Sequence, residues 1–146
     1  MNVSRILSAG AAAALVFLLA SCASTPQVEG NWQDIGLAAN GNISAAIDRN
    51  SIKKTGNLAT FRDKKTVLKP NEERYNYTNT PRYKTAVGEW EINCRNKTYR
   101  LTALQLLDEN GQVLMNEKYT ATNLRPMQVM ENTITEKQYQ AVCHGN

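Results

Sequence analysis

The three cysteines, at positions 22, 94 and 143, constrain this chain most. The first closes an N-terminal pattern. A short head carries one charge, at Arg5, and an apolar run follows from about Ala9 to Ala20. The segment ends Leu19-Ala20-Ser21-Cys22. The run is shorter than the about 20 apolar residues that span a bilayer. Its order of charge, apolar core and small residues is that of a secretory signal. Export would place the rest of the chain in an oxidising compartment, where thiols pair.

Leu19-Ala20-Ser21-Cys22 resembles the bacterial lipobox: a large aliphatic residue, two small residues, then the cysteine that takes the lipid. Residues 1–21 are therefore read as a lipoprotein signal peptide, and Cys22 as the lipidated first residue of the mature chain. Each buried CH₂ contributes about 0.8 kcal/mol, so the three acyl chains usual in such proteins anchor it to a membrane. Ala23 and Ser24 follow, rather than an aspartate, which by lipoprotein sorting habit points to the outer membrane. Which side of that membrane the domain faces is not written in these residues.

Residues 22–30 are small and polar, a tether between lipid and domain. Residues 31–146 form one domain, large enough for a single core. With Cys22 used by lipid, Cys94 and Cys143 remain. Their simplest state is a disulfide closing a loop of about 50 residues, for which loop entropy gives about 4 kcal/mol. The competing state is two buried thiols. Structural zinc needs four ligands and the chain has one histidine, so no metal site is expected.

Charge is uneven. The chain carries a formal +4, which becomes +3 once Arg5 is removed with the signal. Residues 62–100 hold ten basic and five acidic side chains, whereas residues 101–146 hold three and five. A basic region beside an anionic envelope suits an acidic glycan, lipid or protein surface. An ordinary solvated face fits the same count. Nucleic acid is not among the expected partners.

Hydrophobic alternation predicts antiparallel strands. Ile43 to Ile47 reads as one, and Asp48 to Ser51 as a turn. A Gly56-Asn57 turn leads into Leu58 to Leu68, with Ala59, Phe61 and Val67 on one face and Thr60, Arg62, Lys64 and Thr66 on the other. Lys64-Lys65 suggests a sheet edge, where charge discourages stray pairing. Lys69 to Arg82 is loop-like. Thr85 to Cys94 alternates, with Ala86, Trp90, Ile92 and Cys94 on one face. Thr98 to Leu107, an Asn110-Gly111 turn and Gln112 to Tyr119 form a hairpin. Pro126 to Met130 is a short extended piece. A helix runs from Glu136 to Cys143, capped by Thr135, with Tyr139 and Cys143 on one face. The fold class is α+β: a small antiparallel sheet with the C-terminal helix packed on one face, and one disulfide.

Catalytic constellations are missing from the sequence, so no enzyme is expected. His144 is third from the end, and no nucleophile elbow or phosphate-binding loop occurs. Glu89 and Glu91 share a strand face, but a working pair needs one carboxyl raised by burial. Flanking Lys84 and Arg95 make them solvated ion-pair partners.

Several segments together resemble a known family. Ala46-Ile47-Asp48 followed by Ser51-Ile52, Pro81-Arg82-Tyr83 leading into Trp90-Glu91-Ile92-Asn93-Cys94, and the terminal Val142-Cys143 are similar to the surface-adhesin protein E family. The resemblance covers the mature domain. It implies a lipoprotein that binds host matrix and serum proteins such as vitronectin and laminin, and also haem. It places the host-binding stretch on Pro81 to Cys94. Arg82, Tyr83 and Lys84, with Arg74 in the preceding loop, are the implied partner-binding residues. Pro81 and Gly88 stand where further basic residues are expected, and Glu89 and Glu91 add negative charge.

Three classes compete. One is a surface module that captures host protein through the basic loop. Another is a periplasm-facing structural or assembly lipoprotein. The third is haem capture, for which His144, Met115, Met127, Met130 or a tyrosine would supply a ligand. A homodimer is an open assembly state for each. A lysozyme inhibitor ranks last, because a +3 domain suits a cationic enzyme poorly.

Overall fold

The computed structural model describes residues 28–73 and 79–145. Cys22, the signal peptide and Arg74 lie outside the described residues. Six strands follow in chain order: β1 (Trp32–Leu37), β2 (Ile43–Thr55), β3 (Leu58–Val67), β4 (Thr85–Asn93), β5 (Thr98–Leu107) and β6 (Val113–Lys118). They hydrogen-bond in that same order, each antiparallel to the next. Short β7 (Met127–Gln128) pairs with the start of β5. Helix α1 (Ile134–Cys143) closes the chain.

Such a meander needs only tight turns. Gly56 (φ 59°) and Gly111 (φ 77°) adopt the positive φ that two of them require. The β5–β6 turn is fixed by Asp108, whose Oδ1 accepts from the amides of Asn110 and Gln112, each at 2.8 Å. Strand β1 is not legible in the sequence. Its WQDIGL sequence lacks clear alternation, and its register slips between Asp34 and Gly36.

Alternation sends Ile47, Ala59, Phe61 and Ile92 to the inner face, where Tyr139 and Val142 of α1 cover them. Burying each large apolar side chain is worth roughly 1.5–3 kcal/mol. Cys94 and Cys143 are disulfide-bonded, with Cα atoms 5.6 Å apart. The Tyr139 hydroxyl donates to the Cys94 carbonyl at 3.1 Å, so two contacts pin the second half of the helix to the end of β4.

Three expectations change. Asp48 to Ser51 is not a turn but a bulge inside β2: pairing passes from Asp48↔Arg62 directly to Lys53↔Thr60. The turn-forming chemistry is present and serves the bulge. Ser51 Oγ donates to the Asp48 carbonyl at 2.7 Å and accepts from the Arg62 amide at 2.8 Å. Strand β3 is not an edge, since it pairs with both β2 and β4. Its consecutive lysines are accommodated by the pleat, which sends them to opposite faces. Lys64 Nζ lies 4.6 Å from the Trp32 ring on the outer face, and Lys65 Nζ lies 4.9 Å from the Trp90 ring on the inner. Finally, Thr133 caps the helix rather than Thr135. Its hydroxyl accepts from the Glu136 amide at 3.1 Å, and Glu136 reaches back to the Asn132 amide at 2.7 Å. Thr133-x-x-Glu136 is a capping-box sequence, and that spacing carries the signal.

Candidate binding surface

Arg82, Tyr83 and Lys84 lie between the end of β3 and the end of β5. The Lys84 amide donates to Leu107 O at 2.8 Å, and the Lys84 carbonyl accepts from Val67 N at 2.9 Å. All three side chains line one cavity of about 220 Å³, with Pro70, Asn71, Asp108 and Glu109 on its other walls. The structure therefore brings three of the four sequence-chosen residues together, beside two carboxylates from the β5–β6 turn.

Their cations are already engaged. Lys84 Nζ donates to Val67 O at 2.6 Å and Leu68 O at 3.3 Å, tying down the end of β3. Arg82 donates to Pro70 O at 3.0 Å. The neighbouring loop is held by Asn42. Its side-chain oxygen accepts from the Lys69 amide at 2.7 Å, while its amide donates to Glu73 at 2.8 Å.

The basic run of residues 62–100 does not form one patch among the described residues. Strand pleating and local partners disperse it. Arg62 pairs with Asp48 at 2.6 Å, Lys69 with Glu72 at 3.2 Å and Arg100 with Glu91 at 3.4 Å. Lys97 lies over the Tyr139 ring, 5.6 Å from its centre. Glu91 thus finds Arg100 across the β4–β5 pair, rather than Lys84 or Arg95.

The outer face holds a cluster where the chain enters the domain. Arg62 sits 5.0 Å from the centre of the Trp32 ring and donates to Glu29 O, while the Trp32 indole donates to Val28 O at 2.8 Å. Asp48 is buried. Burial alone would raise its pKa, but Arg62 and the amides of Asn31 and Asn50 together hold it below the ordinary 3.8. Burial, and then Arg62, push Lys64 below its usual value.

On the inner face, Asp63 alternates in step with Ala59, Phe61 and Val67, and its charge sits buried in that row. Its Oδ1 accepts from Gly88 N at 3.2 Å and Trp90 Nε1 at 2.7 Å. Its Oδ2 accepts from Gln138 Nε2 at 2.6 Å and from Lys65 Nζ. Gly88 is explained by this hub rather than by a lost basic residue. A Cβ there would stand 2.6 Å from the Trp90 indole nitrogen and 2.7 Å from Asp63 Oδ1.

The residues considered for haem stay apart. His144 Nε2 lies 3.3 Å from the Tyr139 hydroxyl, Met115 lines an inner-face cavity, and Met127 and Met130 are exposed. Among the described residues, no group of three or more His, Cys, Asp or Glu side chains converges as a metal site, and no helix is long and apolar enough to cross a membrane.

A family model described as surface-adhesin protein E matches residues 32–144. No curated protein matches the chain. Among solved structures, crystal form II of Haemophilus influenzae protein E is similar at 16% identity, covering 83% of this chain and 94% of that one, with a TM-score of 0.52. Another structure of the same protein is 20% identical, covers 83% and 89%, and has a TM-score of 0.51. At these identities the likeness speaks for the fold.

Proposed function

Because this chain belongs to the surface-adhesin protein E family, we propose that it is a lipid-anchored outer-membrane binding module that captures a host matrix or serum protein without catalysing a reaction. The observation that carries this reading is the family match, which spans residues 32–144 and so takes in every strand and the helix. Cys22 would supply the anchor. The surface built by Arg82, Tyr83 and Lys84 would meet the partner, with Arg74 from the same loop. Its cations sit beside Asp108 and Glu109, so the patch is of mixed charge rather than a uniformly basic face. That favours a partner recognised by shape and paired charges over a polyanion.

The test is accessibility of an epitope-tagged full chain to external protease, on intact and on permeabilised cells. Digestion on intact cells, together with binding to immobilised matrix protein that weakens with salt, is the expected result. Exposed charges are screened beyond about 8 Å at physiological ionic strength, so salt sensitivity reports on this surface. Protection on intact cells would replace the adhesin with a periplasm-facing envelope lipoprotein.

A further inference from the structure

Helix α1 covers only part of the inner face. Beyond it, between β3 and β6, the same face forms a trough of about 620 Å³, within the range of small-ligand sites. Leu101, Leu104, Leu106 and Met115 floor it, and Tyr119 and Leu124 flank it. Lys65 and Asp63 line it as well, and they also stand where α1 meets the sheet.

The polar chemistry here is one-sided. Asp63 already accepts four hydrogen bonds on its two oxygens. An ammonium has three N–H donors. Lys65 gives one to Asp63 and faces the Trp90 ring, and no further acceptor meets it among the described residues. Glu73, the other carboxylate on the lining, is held by Asn40 and Asn42. A ligand seated in the trough must therefore bring an apolar body and an acceptor for one cation.

The geometry points to a binding site for a free long-chain carboxylate, its acyl chain along Leu104, Leu106 and Met115 and its head group on Lys65. A trough of about 620 Å³ suits one acyl chain better than the two chains of a phospholipid. Tyr83 lines both this trough and the cavity of Arg82 and Lys84, so the two sites adjoin, and the photolabel reads this one whether or not a protein partner is captured.

Photolabelling tests it. The full chain in proteoliposomes is irradiated with dodecanoate carrying a terminal diazirine, and the labelled peptides are mapped by mass spectrometry. Label should concentrate on β5 and on Met115. Unlabelled dodecanoate should compete about tenfold better than its methyl ester, the worth of one charge-assisted hydrogen bond. Leu104→Glu should abolish labelling, and Lys65→Met should erase the preference for acid over ester. Label spread evenly along the chain overturns the site. Equal competition by the ester, or stronger competition by didodecanoyl phosphatidylglycerol, overturns the ligand. If Lys65→Met does not fold, the acid-to-ester ratio on the unaltered chain decides alone.

Discussion

Gln138 in the middle of α1 donates to the carboxylate of Asp63 in the middle of β3, at 2.6 Å and across 75 residues of chain. Both residues are 1% exposed. The helix is thus held at its centre by a buried polar contact and at its end by the disulfide. An acceptor lost in such a place leaves several donors without water or partner, which costs more than the bond itself contributes.

Gln138→Leu should lower unfolding free energy by about 1–3 kcal/mol, the cost of one hydrogen bond to a buried charge. Asp63→Leu should cost more, about 3–5 kcal/mol, because it also strands Lys65, Trp90 and the Gly88 amide. Urea titrations of both variants check the order. An Asp63→Leu protein as stable as the parent would contradict the role of the hub.

Gly88→Ala should destabilise by about 1–3 kcal/mol, since the added methyl must displace the Trp90 indole or the Asp63 carboxylate. Tryptophan fluorescence should shift in the folded variant as the indole loses its hydrogen bond. An unchanged spectrum together with unchanged stability would contradict the close approach.

Replacing both Cys94 and Cys143 by serine should cost about 4 kcal/mol, mostly through a freer unfolded chain. Amide exchange should quicken first in α1, which loses the covalent clamp at its end. Protection in β3 should fall less, because β2 and β4 flank it.

Asp48 makes stability depend on pH. Its folded pKa lies below the ordinary 3.8, so the folded state holds the proton less tightly than the unfolded chain. The contribution is complete above about pH 5 and fades as pH falls through the unfolded and then the folded value. Asp48→Asn should flatten the acid limb of the stability profile below about pH 5. Chemical denaturation at a series of pH values measures it, and an acid limb of unaltered slope would count against Asp48.

Lys84 is expected to matter for structure as well as recognition. Lys84→Met should cost about 1 kcal/mol, because the carbonyls of Val67 and Leu68 lose their donor. Thermal melts recorded beside the binding assay separate this loss from any effect on the partner.

Much of this was visible in the residues. Ala59, Phe61 and Val67 face inward in β3, and Thr98 to Leu107 is β5 to the residue. Asn110-Gly111 makes its turn, and Cys94 meets Cys143. Each rests on local periodicity, on turn chemistry or on counting thiols. Less was visible at the candidate site. Arg82, Tyr83 and Lys84 are neighbours in sequence, but their surroundings of Pro70, Asp108 and Glu109 come from two other segments.

By itself, then, the sequence determined strands β3 to β6, the terminal helix and the pairing of two cysteines, because each follows from patterns within about ten residues or from elimination. Tertiary structure alone decided what the charges do. A pleated strand separates Lys64 from Lys65 by the thickness of the sheet, and folding carries Gln138 to Asp63. Cys94 and Cys143 fix where the helix ends. The buried carboxylate beside it decides how the helix is seated and where the trough begins.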